Sequence, residues 1–296
     1  MGTKAGILRR YRIWFFSLLF LAGVFWFAFA NLPIQFAAVK DWRKFSTKSK
    51  TAMLTKRVFI ERELGRLKVH PWAGDYYYGD GLGVNVDLAL APNSGFVFTW
   101  NGCLGHYDQN YGDVAESGGK IRLLFRLPNE GEGFEGITPE FLPIMWGERH
   151  YLIPADGVVK FANAINAGFE PRGSNSGQFL LKRGDASKQV SGYPSLPSEY
   201  SEYLLRSPIK AEVSSVKESH AKDSDRISIV LLNVGASQGV RKGMEFYVYS
   251  PSRVFESAAV TFVNSTWSEA KVIQCCDDKE APPTVGWKLS TRAVRD

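Results

Sequence analysis

The stretch from Ile13 to Val39 constrains this chain more than any other, because its twenty-seven residues, opening with IWFFSLLFLAGVFWFAFA, include no charged side chain. Such a run does not suit the surface of a small water-exposed domain. At ~1.5 Å rise per residue it can cross a ~30 Å hydrocarbon layer as a helix, with residues to spare for tilt. Trp14, Trp26 and the cluster Arg9, Arg10, Arg12 stand near its ends, where interfacial anchors collect. The competing reading is a signal peptide, with a basic start and Ala28-Phe29-Ala30 in the small-x-small form that a signal peptidase accepts. Length and bulk favour the anchor: residues 31–39 stay uncharged, and Phe25, Trp26 and Phe27 crowd the point where cleavage would need extended backbone. The expectation is a single-pass inner (cytoplasmic) membrane protein with residues 1–12 as a cytoplasmic tail and the later domains extracytoplasmic or periplasmic. Secretion after cleavage at Ala30 is the alternative.

Charge does not fix the orientation, since both flanks are basic. Residues 1–12 carry Lys4, Arg9, Arg10 and Arg12 with no acid, and residues 40–68 carry ten basic side chains against Asp41, Glu61 and Glu63, a net of +7. The positive-inside rule alone would hold either flank in the cytoplasm, but long following domains translocate largely regardless of charge. Subtracting +4 and +7 from the formal +6 of the chain leaves −5 for residues 69–296. The basic character therefore belongs to the membrane flanks. Without basic residues interleaved among stacking aromatics, a nucleic-acid partner is not expected.

Within 40–68, Thr51 to Lys68 has the spacing of an amphipathic helix, with Met53, Ile60, Leu64 and Leu67 on one face. Arg43, Lys44, Lys56 and Arg57 are the candidate membrane-surface residues, held by anionic lipid headgroups. The competing role for this helix is a stalk whose apolar face packs on the next domain.

From His70 the period changes to two. Val84, Val86, Leu88 and Leu90 alternate with Asn85, Asp87 and Ala89; Pro92-Asn93-Ser94-Gly95 makes a turn; Phe96, Phe98 and Trp100 alternate on the return. After Ser117-Gly118-Gly119, Ile121, Leu123, Phe125 and Leu127 alternate again. Strands over 141–147 and 150–153 and a helix follow, with Asp156 near its start as cap, Val158, Phe161, Ala162 and Ile165 as its buried stripe and Gly168 at its end. Short antiparallel strands with one apolar face are satisfied by rolling into a barrel. The opening Trp72-Ala73-Gly74-Asp75-Tyr76 weakly resembles the first strand of lipocalin-like barrels, which implies an up-and-down barrel, filled by its aromatics or holding an apolar ligand.

Residues 186–208, with Ser-Gly-Tyr-Pro-Ser-Leu-Pro-Ser, suggest a linker between separately folding modules. Beyond it, Ile227, Ile229 and Leu231 form a strand, and Gly235, Gly239 and Gly243 follow at intervals of four, with Val240 and Met244 each directly after a glycine. No Lys-Ser or Lys-Thr stands where a phosphate loop needs it, so the run is expected to make tight turns. It resembles the small β-barrels at the C-terminus of the flagellar assembly protein T and in the extracytoplasmic part of the cell-shape protein MreC. These share a Gly-x-x-x-Gly-Val-x-x-Gly-Met run and a later Ser-x-Ala-x-Val, matched here by Ser268, Ala270 and Val272, with 285–289 as closing strand. The resemblance covers roughly residues 225–292. It implies an envelope-facing interaction module and supplies no catalytic residue.

The chain is thus expected to be mainly β: a single N-terminal transmembrane helix (13–39), a basic juxtamembrane helix (40–68), a β-barrel-like meander domain with one helix (69–185), the linker (186–208) and a smaller C-terminal β-barrel (209–296). Three cysteines, Cys103, Cys275 and Cys276, make no disulfide framework, though Cys103 could bridge to either of the adjacent pair. Tyr107 to Asp113 could be a fragment of a calcium loop, but it lacks the closing glutamate, so no metal is expected. No cofactor motif is present. The function expected is a non-enzymatic, membrane-anchored envelope protein whose β-domains serve binding or assembly of other envelope components, with membrane lipid and envelope proteins as partners. A tethered carrier of a small apolar ligand is the alternative, and a hydrolase using residues among Asp75, Asp80, Asp108, Asp113 and His150 the third.

Overall fold

The computed structural model describes residues 44–293, apart from 68, 80, 82, 104, 130–135, 172–177, 223–224, 252–255 and 276–281. The expected tail and anchor, Arg43, Asp80 and Cys276 lie outside the described residues. No helix among those described is long and apolar enough to cross a membrane. What is described is mainly β, in two closed barrels.

The first barrel takes its eight strands in chain order: β1 (Gly74–Gly79), β2 (Val84–Ala91), β3 (Gly95–Gly102), β4 (Gly105–Ser117), β5 (Lys120–Phe125), β6 (Glu140–Trp146), β7 (Arg149–Pro154) and β8 (Leu180–Lys182). Each pairs antiparallel with the next, and β8 returns to β1 through Tyr76↔Lys182 and Tyr77↔Leu181. The period-2 alternation sends one set of side chains inward. Tyr76, Leu88, Leu90, Phe96, Phe98 and Phe141, all at 0% exposure, fill the interior. Each contributes about 1.5–3 kcal/mol by leaving water.

Two helices cover the outer wall, so several strands are buried on both faces. Helix α1 (Thr47–Arg66) lays Met53 and Ile60 on Ala89, Ala91 and Val97 of β2 and β3. It starts a turn before the expected Thr51 because the Ser46 hydroxyl accepts the Ser49 N–H and caps it there. Helix α2 (Val158–Ala167) packs Val158, Phe161 and Ile165 over Leu142, Ile144, Tyr151, Ile153 and Leu181. Its N-cap is Gly157 with no side-chain cap, which corrects the expectation for Asp156; Gly168 ends it at φ +81°.

The second barrel has six strands: β9 (Lys210–Lys222), β10 (Asp225–Leu232), β11 (Glu245–Ser250), β12 (Ser257–Val263), β13 (Ser268–Cys275) and β14 (Lys288–Ser290), in the spatial order β10-β13-β12-β11-β14-β9 with β9 closing on β10. Val230, Leu232, Phe246, Ala258, Ala270 and Leu289 meet in its core.

Residues 186–208 are not the free tether that their prolines and serines suggest. Asn166 of α2 donates to the Tyr203 carbonyl and accepts from the Leu205 N–H, and the Tyr193 hydroxyl donates to the Leu205 carbonyl. The Tyr203 hydroxyl reaches on to the Lys242 carbonyl in the second barrel. Asn163 of α2 donates to the Gly243 carbonyl and accepts the Glu245 N–H, and the Ala293 N–H donates to the Ala167 carbonyl. Side-chain amides satisfying main-chain groups across the seam join the two barrels in one compact unit.

Candidate functional site

The three described membrane-surface candidates, Lys44, Lys56 and Arg57, are turned to the barrel. Lys44 is 1% exposed, and its ammonium lies 2.9 Å from the equally buried Asp108. Asp108 also accepts the Gln109 and Gly136 N–H groups, so a charge that would be costly alone is held by three donors. Lys56 pairs with Asp113, and Arg57 with Asp75 and Glu61. Burial works against the Arg57 charge, yet its hydrogen bonds to Glu61 and Asp75 raise its pKa above the ordinary value. Glu63, nearly two turns on, is likewise opposed by burial but lowered by the Ser94 and Asn93 groups of the β2–β3 turn that it binds. These four side chains clamp α1 to the barrel rather than to headgroups. The sequence could not show this because their partners lie far along the chain, in β1 and β4 and in the β2–β3 turn.

Where the clamp leaves a gap, the wall opens. Between α1 and the outer faces of β2–β4 lies a cleft of about 480 Å³, with Met53 and Leu54 on one side, Val97 and Thr99 on the other and Phe45 at one end. Its volume is in the range of small-ligand and side-chain pockets. The Phe45 ring meets His106 edge-on at 5.5 Å, and both imidazole nitrogens are held, by Asn101 and Gln109. Lys50, exposed and with no ion pair among the described residues, stands at the rim. Arg57, Asp87 and Gln109 complete the lining, with Asp87 tied to Arg183 and Arg57 to Asp75 and Glu61, so an apolar floor lies under a mixed polar rim that includes Lys50.

The candidate acid–base groups do not converge. Asp75 binds Arg57 beside Arg183, Asp108 is sealed by Lys44, and Asp113 is shared by Lys56 and Arg126. His150 Nδ1 lies 2.8 Å from Asp185, which also accepts the His150 N–H and the Lys188 ammonium. Asp185 is pushed upward by burial, but the Lys188 and His150 hydrogen bonds outweigh this and hold it below the usual carboxylate range. None of these described candidates shares a hydrogen bond or ion pair with another. Tyr107–Asp113, considered above as a calcium loop, is extended β4 backbone with its two carboxylates taken by cations of the protein. Among the described residues no group of three metal-ligating side chains occurs. Cys103 is exposed and not in a disulfide; the partners considered for it lie outside the described side chains.

The glycine run forms part of the seam. Gly239 and Gly243 both hold φ +87°, Val240 and Met244 are fully buried, and Gly235 is extended, pressed so close to Asn264 and Trp267 that a β-carbon would not fit. A β-carbon on Gly243 would also meet Val159 of α2 at 3.1 Å. The sequence did carry one signal for this contact: Asn163, a polar residue between Ala162 and Ala164 on the buried side of the helix, is 3% exposed and turned to Gly243 and Glu245.

Comparison with protein-family models, known proteins and solved structures returns no match. The functional reading therefore rests on the geometry above.

Proposed function

We propose that the chain is a membrane-anchored envelope protein without catalytic activity, in which residues 13–39 form the single transmembrane helix and the two extracytoplasmic barrels serve the binding and assembly of other envelope components. The cleft between α1 and the first barrel carries this reading. It is mainly apolar, solvent-open and positive at Lys50, whereas every described acid–base candidate is committed to an ion pair or hydrogen bond within the protein. The fitting occupant is a segment of another envelope protein that brings a bulky apolar side chain and a neighbouring acid. A carrier role has less support, because the barrel interior is packed with its own aromatic side chains. The likeness of residues 225–292 to flagellar assembly protein T and MreC adds a second interaction module to the same assembly role.

A photo-crosslinking side chain at Thr99, which lines the cleft, tests this in native membranes. The expected result is a discrete adduct to one envelope protein, lost in Leu54→Asp and Lys50→Glu, with none from the same probe at Leu124 on β5. Adducts that ignore both substitutions, or that form equally from Leu124, overturn the reading.

A further inference from the structure

Clamping α1 to the barrel turns a different face outward. Lys48, Thr51, Thr55, Val58, Arg62 and Arg66 fall at intervals of three and four, so they form one stripe on the side opposite the buried Ser49, Met53 and Ile60. All six are exposed, and no acid lies in the stripe. The two acids on the flanks are already engaged, Glu61 by Arg57 and Glu63 by the β2–β3 turn. Lys48, Arg62 and Arg66 have no ion pair among the described residues.

Exposed helix faces in water are ordinarily polar and of mixed sign. This one joins positive charge to apolar bulk: Val58 is 44% exposed and the adjoining Phe59 52%. Among the described residues no contact covers those side chains. A nucleic acid would satisfy the cations and leave the valine and phenylalanine in water, whereas the interface of an anionic bilayer takes both. In the sequence the uncharged run ends at Val39 and α1 begins at Thr47, so a chain anchored by that run keeps this helix near a membrane.

We propose that the outward stripe of α1 docks on an anionic lipid surface, with Lys48, Arg62 and Arg66 at the headgroups and Val58 and Phe59 in the interfacial layer. This rests on the anchored reading only in that the anchor supplies the nearby bilayer. It replaces Arg43, Lys44, Lys56 and Arg57 as the membrane-facing set, because the three of these that are described bind the barrel. Docking also lays the first barrel on the membrane in one orientation, since Lys56, Arg57 and Glu63 fix the helix to it.

The test uses the full chain, with its three cysteines changed to serine and an environment-sensitive dye on Thr55→Cys, reconstituted with neutral phosphatidylcholine vesicles or with vesicles containing about a third phosphatidylglycerol. Anionic vesicles should blue-shift the dye and expose it to quenching by brominated lipid, and molar salt should reverse both. Lys48→Glu/Arg62→Glu/Arg66→Glu should shift the docked-to-undocked ratio by on the order of a hundredfold or more, about fivefold for each positive charge lost. A water-like dye in both lipids, in protein that floats with both, overturns the docking and leaves the anchor standing. Flotation with anionic vesicles alone, abolished by salt or the triple substitution, supports docking and removes the anchor; flotation with neither removes both. Dye burial in native membranes but not in anionic vesicles assigns the face to a protein partner and overturns the proposal.

Discussion

Replacing Lys44 by Met should destabilise the first barrel more than any other single change in α1 or the residues just before it. The ammonium and the Asp108 carboxylate are each about 1% exposed and 2.9 Å apart, so removing one leaves the other charged in a site without water. Breaking such a pair costs about 3–5 kcal/mol. Asp108 keeps two donors, the Gln109 and Gly136 N–H groups, which places the expected loss near the lower end, at about 3 kcal/mol. Asp108→Asn should cost a similar amount by orphaning the ammonium. The double variant removes both charges and should cost no more than either single one, giving a coupling of about 3 kcal/mol or more. Denaturant unfolding of the detergent-solubilised chain, followed through the buried Trp72 and Trp100, measures all four corners of the cycle. A Lys44→Met loss below about 1 kcal/mol, or strictly additive costs, would refute the argument, since neither is compatible with a desolvated pair.

Val86→Asp, at a position 1% exposed inside the first barrel, should cost several kcal/mol and abolish its cooperative melting transition; an unchanged midpoint would mean the strand faces are assigned backwards. Gly243→Ala should cost more than Gly286→Ala by about 1 kcal/mol in denaturant titration, because both positions have positive φ but only the first has Val159 in the way; equal costs would remove the steric part of the argument. Acid should destabilise the fold through Asp185. Its folded pKa lies below the ordinary 3.8, so its contribution is present above that value and lost as pH falls through the folded one, and Asp185→Asn should flatten this part of the stability–pH profile.

The strands of the first barrel were legible because alternation such as Val86-Asp87-Leu88 has only one structural meaning at that length, and the turn at Gly118-Gly119 marked where it reversed. The helices were legible as helices but not in their roles. Lys56 and Arg57 have the composition of a membrane-surface segment, and only the fold brings Asp113 and Asp75 under them. Lys44 and Asp108 carry no local signal at all: they are sixty-four positions apart and each resembles an ordinary surface charge. The cleft was hidden for the same reason, since Phe45, Met53, Thr99 and His106 come together from three separate segments. Residues 186–208 have a linker's composition, and their packing depends on Asn166, an amide whose partners cannot be inferred from helix periodicity.

The central claim, a membrane-held protein with both barrels outside the cytoplasm, is tested most directly at Cys103, which is exposed at the β3–β4 turn of the first barrel. In a Cys275→Ser/Cys276→Ser background, spheroplasts of the expressing cell are treated with a membrane-impermeant maleimide before and after lysis, and the membrane fraction is recovered. The account predicts full labelling of membrane-bound protein in intact spheroplasts, with no gain on lysis. Labelling that appears only after lysis would contradict it.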